Sequence, residues 1–329
     1  MKKLKTNKFL KNLFLIFFIV SIVGCKKTPE KFTQERFLFG TYIQMIIYSD
    51  NKEKANSIME KAFNEIVRID NKYNSKNKNS LIYKLNNFEI EKIELDEEGK
   101  YIFNEIQKMY EITDGMYDIT IEPLLKLWGF GEEARKSVPS QKEIEEVKKN
   151  IDFSKVKIKD GILTKEKNIK IDTGSFLKGY AIDRAKEILR ENGITNGFIS
   201  SISSITTINR KADGSLWKIG LQNPEDQNKR LGILEIENES IGVSGDYQTY
   251  VEISGKKYHH IMNKNTGYPI NDKKMVVVIS SSAFLADIYS TSFFGMTEEK
   301  IKNFSNENNV EFLIVKTDNS ITKSKNFKI

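Results

Sequence analysis

The chain has one cysteine and two histidines in 329 residues. A single cysteine forms no internal disulfide, and so few sulfur and imidazole groups leave no His or Cys cluster of the kind zinc requires. The body shows no internal repeat and no low-complexity linker, and its glycines lack the spacing of a Walker loop or a dinucleotide fingerprint. The net charge is +7 with pI near 9.0. The lysines are spread rather than clustered and no nucleic-acid module is present, so the charge reads as a solvated surface, with a field that suits a phosphorylated ligand or an anionic membrane. With 39% hydrophobic and 29% charged residues the chain is globular, long enough for one large domain or two small ones.

One apolar run stands out. Met1-Lys2-Lys3-Leu4-Lys5 is basic, and Phe9 to Val23 is apolar but for Lys11 and Asn12. That run is too short for an ordinary transmembrane helix and fits a signal peptide. Gly24 precedes the lone Cys25, as in a bacterial lipobox, where cleavage exposes the cysteine for lipidation. The expected organisation is a signal peptide over 1–24, a lipid-anchored tether over 25–34 and a folded domain over 35–329, leaving 329 − 24 = 305 residues after cleavage. Two acyl signals hold a protein stably on a membrane where one does not, so an extracytoplasmic, membrane-anchored body is expected.

Hydrophobic spacing predicts a strand over Phe37–Tyr48 and helices over 51–73, 80–86 and 97–113, the last stopped by Asp114-Gly115. Ser140 and Glu143 form a capping-box pattern ahead of a charged helix. Asp160-Gly161 turns a hairpin within 155–171. Asp172-Thr173-Gly174-Ser175 opens a helix reaching Glu191 and closed by Asn192-Gly193. From Phe198 short apolar runs alternate with turn residues, and a helix near Ala283–Gly295 follows. The fold class is α+β with mainly antiparallel sheets covered by helices.

The two histidines are adjacent, in His259-His260-Ile261-Met262-Asn263-Lys264-Asn265-Thr266-Gly267-Tyr268-Pro269, at a strand end before a turn. Histidine has the side-chain pKa nearest neutrality, so one of them is a candidate for chemistry; a chance pair on an exposed strand is the alternative. Asp287 and Thr291, four apart on a helix, present hard oxygens suited to Mg²⁺. Asp172 lies at a strand-to-helix junction, where backbone N–H groups suit phosphate; an ordinary helix cap is the alternative. Gly174 and Gly179 would permit close approach of a ligand. Asp118, with Trp128 and Phe130 close behind, reads either as a planar-ring site or as a turn into the core.

Taken in order, Phe39-Gly40-Thr41, Gly115-Met116-Tyr117-Asp118-Ile119-Thr120, Leu127-Trp128-Gly129-Phe130-Gly131, Ile171-Asp172-Thr173-Gly174, Lys178-Gly179-Tyr180-Ala181-Ile182-Asp183, Trp217 to Pro224, Ser244-Gly245-Asp246-Tyr247, His260-Ile261 with the Thr266-Gly267-Tyr268-Pro269 turn, and Ala286-Asp287 with Ser290-Thr291 resemble the bacterial FAD:protein FMN transferases, the ApbE family of flavin-trafficking lipoproteins. The resemblance runs from about Phe37 to Val315. It implies an ApbE-like fold of two intertwined subdomains. It also implies FAD as substrate, Mg²⁺ as cofactor, and transfer of FMN to a Ser or Thr hydroxyl of an acceptor protein in a membrane redox complex, with AMP released. The family's metal positions fall on Ser175, Asp287 and Thr291. Its nucleotide positions fall on Phe39, Lys76, Met116, Tyr117, Asp118, Asp172, Lys178 and Ile261, and its recurrent histidine on His260. Two runs differ from the family's usual pattern. Its Gly-Gly-Asp or Gly-Gly-Asn run is Ser201-Ile202-Ser203-Ser204 here, placing a branched side chain where backbone approach to ligand is expected. Its Asp-Pro is Asn263-Lys264. These differences leave a flavin-binding lipoprotein without turnover, or an FAD pyrophosphatase, as alternatives.

Overall fold

The computed structural model describes residues 29–131, 135–226 and 228–329. The expected signal peptide and lipidation site, residues 1–24 and Cys25, lie outside the described residues. The centre is an eight-stranded sheet, and only its strands are numbered: β1 Glu30–Leu38, β2 Thr41–Ser49, β3 Gly197–Ser200, β4 Ser204–Ile208, β5 Ser240–Gly245, β6 Lys273–Ser280, β7 Glu311–Lys316 and β8 Ile321–Lys323. Their order in space is their order in the chain, and every neighbouring pair is antiparallel. Glu30 to Gln34, read as tether, already form β1. The single strand expected from Phe37 is a hairpin that turns at Phe39-Gly40, both at positive φ (52° and 71°).

Both faces of the sheet are covered, and the two-residue period of a strand assigns each side chain to one of two cores. Ile43, Met45, Ile47, Val276, Val278, Phe312 and Ile314 point to one side. Ile46, Met275, Val277, Ile279, Leu313 and Val315 point to the other, where a hairpin of Trp217–Gln222 and Arg230–Ile236 packs through Trp217, Leu221, Leu234 and Ile236. The first side carries the helices α1 Lys52–Tyr73, α2 Glu97–Ile112, α3 Leu177–Glu191 and α4 Ala283–Gly295, with α5 Glu298–Asn308 following. α1 has a clear apolar stripe (Ile58, Ala62, Ile66, Ile69) and an Asn51 side-chain cap. α4 has none: Phe284, Ala286, Ile288, Tyr289, Phe293 and Phe294 are buried around its whole circumference, because it lies between α3 and strands β5 and β6. A third, smaller cluster of Leu124, Trp128, Ile151, Ile253 and Met262 forms a lobe at one end of the sheet.

Two glycines set how deep α4 sits. A Cβ on Gly242 of β5 would collide with the Ala286 carbonyl and lie 2.8 Å from the Asp287 nitrogen; one on Gly179 of α3 would collide with the Ala283 carbonyl and lie 2.7 Å from an Asp287 oxygen. Gly179, expected to admit a ligand, admits a helix instead. Asp183 of α3 then caps α4, accepting from Ser282 Oγ (2.6 Å) and the Ala283 and Phe284 N–H groups (2.9 and 3.0 Å). Among the described residues no helix is long and apolar enough to cross a membrane.

Candidate functional site

The register of the sheet brings several segments to one end. Gln44 pairs with Ser200, Gly242 with Ser204 and Gly245 with Met275, so the β1–β2 turn, the β3–β4 turn and the close of β5 lie together. Asp287, in the first half of α4, faces this end. Its carboxylate is out of water, and burial pushes its pKa up to about 7 despite the nearby Lys178 charge, the Ser204 hydroxyl and the Gly179 N–H. Ser204 Oγ donates to both carboxylate oxygens, at 2.9 and 2.7 Å. Lys178 is in turn lowered by burial and partly restored by Asp287. The carboxylate is therefore short of positive charge.

Thr291 lies one turn further along α4; its hydroxyl meets Ser244 Oγ at 3.2 Å, which also meets Ser290 Oγ at 2.9 Å. Ser175 Oγ pairs with Tyr117 OH at 3.0 Å, and burial raises that phenol, which also feels Asp287, Asp172 and Asp118. Among the described residues no three of His, Cys, Asp and Glu converge on one point. A cation here would rest on one carboxylate plus hydroxyl oxygens. That donor set, with its deficit of positive charge, fits a small hard divalent ion and does not fit zinc.

The two histidines face different surroundings. His259 ends the strand Lys256–His259, is buried, holds the Ile270 carbonyl through Nε2 (2.6 Å), and accepts from the Ile261 N–H through Nδ1 (3.2 Å). That fixes a neutral tautomer, and burial lowers its pKa to about 4. His260 Nδ1 lies 3.1 Å from the Thr249 carbonyl, an acceptor, so Nδ1 carries the proton and Nε2 keeps its lone pair. Burial lowers the His260 pKa, while Asp172, Lys76 and Lys178 all act on it electrostatically. Phe130 stands edge-on to its ring at 6.2 Å.

Asp172 does not cap α3. Its Oδ1 accepts from Ser75 Oγ (3.2 Å) and the Gly174 N–H (3.3 Å), while the capping position belongs to Phe176, which makes no side-chain bond. The preceding Ile171 is clamped by buried Asn86 through both backbone groups, at 2.8 and 2.9 Å. Asp118 is fully engaged: it accepts from the Thr120 N–H and hydroxyl (2.8 and 2.6 Å), the Phe153 N–H (3.2 Å) and Lys264 Nζ (2.9 Å), with its side chain fully buried. Asp118 therefore sits at a buried turn that leads into the short helix Glu122–Leu127. Trp128 is also buried and its indole donates to the Gly267 carbonyl at 2.8 Å, so it is a packing residue and not a stacking platform. Met116 packs on Gly295, Ile261 is buried in the main core, Phe39 packs against that core from the hairpin turn, and Lys76 is exposed in the loop after α1.

The structure therefore brings together Asp287, Lys178, Ser175, Tyr117, Asp172, Lys76 and His260. It adds Ser204 and Lys264, which spacing alone did not single out. The available signal was polarity on an apolar period: Ser204 and Thr206 alternate on the helix-facing side of β4, where buried hydroxyls need partners. The Ser201–Ser204 run also proves compatible with its turn. None of the four adopts a positive φ, Ser201 and Ser204 brace each other by hydrogen bonds of 2.8 to 3.2 Å, and Ile202 points outward, 72% exposed.

The sequence model of the ApbE family matches residues 39–314. An FAD:protein FMN transferase of Haemophilus influenzae is 26% identical over 338 residues, covering 97% of this chain and 96% of its own length. One of Vibrio cholerae is 28% identical over 323 residues, covering 94% and 96%. Among solved structures, the ApbE protein of Thermotoga maritima matches with a TM-score of 0.82 at 30% identity, over 90% of this chain and 97% of that one. The flavin transferase ApbE of Vibrio cholerae shares the fold, with a TM-score of 0.75 at 24% identity over 90% and 97%.

Proposed function

The chain belongs to the ApbE family, and from that premise we propose that it transfers FMN from FAD to a Ser or Thr hydroxyl of an acceptor protein and releases AMP. The observation that carries this reading is the convergence, on one sheet end, of a charge-deficient buried carboxylate, Asp287, with Lys178 and a neutral histidine, His260. Asp287, Thr291 and Ser175 would hold Mg²⁺. When bound, the ion supplies positive charge to the diphosphate during phosphoryl transfer. Lys178 and Lys76 add point charges for the phosphates. Tyr117 orients the Ser175 hydroxyl from 3.0 Å. In the reaction the acceptor oxygen attacks the phosphorus on the FMN side, a P–O ester bond forms, the P–O anhydride bond breaks, and AMP leaves. His260 Nε2 takes the hydroxyl proton, a contribution of about 10²–10⁴-fold for a general base.

The lipobox sequence supports an extracytoplasmic, membrane-anchored enzyme acting on a flavin-bearing subunit of a membrane redox complex. The test incubates the full chain in detergent with FAD, Mg²⁺ and an acceptor domain that carries one reactive threonine. A flavin-fluorescent acceptor band that survives denaturation, and that disappears when this threonine becomes valine, is the expected result. Free FMN and AMP with an unlabelled acceptor would replace transfer by hydrolysis.

A further inference from the structure

Asp287 is held by a group outside the family's metal and nucleotide positions. Ser204 is fully buried at the start of β4, and its one hydroxyl proton is shared between both Asp287 oxygens, at 2.9 and 2.7 Å. A donor centred on both oxygens fixes the plane of a carboxylate, whereas a donor to one oxygen leaves it free to swing. Ser204 is itself fixed: its N–H donates to Ser201 Oγ (3.1 Å), its carbonyl accepts from the Ser201 N–H (2.8 Å), and the neighbouring Ser203 carbonyl accepts from the Val243 N–H of β5 (2.8 Å). The turn that lacks the family's glycines thus ends in a braced hydroxyl aimed at the one carboxylate of α4.

We propose that Ser204 is a positioning residue for Asp287, presenting its carboxylate to the divalent cation. The proposal rests on the metal reading above. Second partners that hydrogen-bond a ligating carboxylate commonly contribute ~10–100-fold to metal affinity. Thr206, two residues along the same face of β4, gives a matched control: its hydroxyl is buried against Ser240 Oγ at 2.7 Å, away from Asp287.

The experiment titrates Mn²⁺, a spin-active stand-in for a hard divalent ion, into the full chain in detergent and reads free Mn²⁺ by electron paramagnetic resonance. No flavin and no turnover are needed. Ser204→Ala is expected to bind Mn²⁺ about 10-fold or more weakly, and Ser204→Cys, of similar size with a weaker donor, to fall between it and the parent. Thr206→Val is expected to keep the parent affinity. Melting in chelator confirms that each variant is folded, and Ser204→Cys decides the matter if the alanine variant does not fold. Parent-like affinity in the folded Ser204 variants, or an equal loss in Thr206→Val, overturns the positioning role. A parent chain that takes up no Mn²⁺ overturns the metal reading itself and this proposal with it.

Discussion

Below pH 6.5 an unfolded chain protonates its histidines, but His259 in the fold stays neutral until about pH 4. Its ring cannot accept a proton while Nδ1 receives the Ile261 N–H and Nε2 grips the Ile270 carbonyl. The folded pKa lies below the unfolded one, so this stability is fully present above pH 6.5 and is lost as pH falls toward 4, a difference of about 3 kcal/mol. His259→Gln removes the titration while keeping a donor for Ile270. Denaturant unfolding from pH 7 to 4 should show the parent losing about 3 kcal/mol more than this variant; parallel curves would reject the assignment. At this scale the sequence is half legible. That the adjacent histidines face different surroundings is what neighbouring positions at a strand end lead one to expect. That Asp118 is also held by Phe153 and Lys264 depends on contacts 35 and 146 residues away, which no local spacing encodes.

At the scale of elements, local rules held where they were local. Ser140 and Glu143 form the capping box, Asp160 and Gly161 turn their hairpin at positive φ, and Gly193 follows α3 at φ 82°. The errors arise where tertiary packing takes over. The β1–β2 hairpin reads as one strand because Phe39 adopts a positive φ that its residue type does not announce, and β1 begins inside a polar stretch because its exposed face carries polar residues. Gly242 is a sharper case, since its need comes from α4 above it. Gly242→Ala should cost about 2 kcal/mol or more from the clash with the α4 backbone and should also weaken Mn²⁺ uptake, because Asp287 follows the residue it strikes. Gly193→Ala, at φ 82° with nothing near its Cβ, should cost only about 1 kcal/mol and leave Mn²⁺ uptake unchanged. Urea unfolding and the Mn²⁺ titration together check the pair; equal effects would mean that α4 tolerates displacement from β5.

At the scale of the molecule, a sequential antiparallel sheet with two buried faces explains why a site can be assembled from segments as distant as Ser75, Ser175, Ser204, His260 and Asp287. One face carries the helix that delivers the carboxylate. The lobe around Trp128 carries the histidine turn, fixed by the Trp128 indole on the Gly267 carbonyl and by Gly267 itself, whose Cβ would strike Ile144. Ordered motifs in the sequence were enough to indicate the fold and several of the segments that meet at this end of the sheet. The partners that hold those motifs in place, Ser204 and Lys264 above all, depend on tertiary contacts: the first on strand register, the second on the packing of two distant turns.

The measurement that bears most directly on function is the stoichiometry of transfer. With FAD, Mg²⁺ and an acceptor protein, AMP released and flavin bound covalently to the acceptor should rise together, one for one, and both should stop when a chelator is added. His260→Ala should slow both about 10²–10⁴-fold without changing their ratio. AMP that accumulates with free FMN while the acceptor stays unlabelled would contradict the transferase reading.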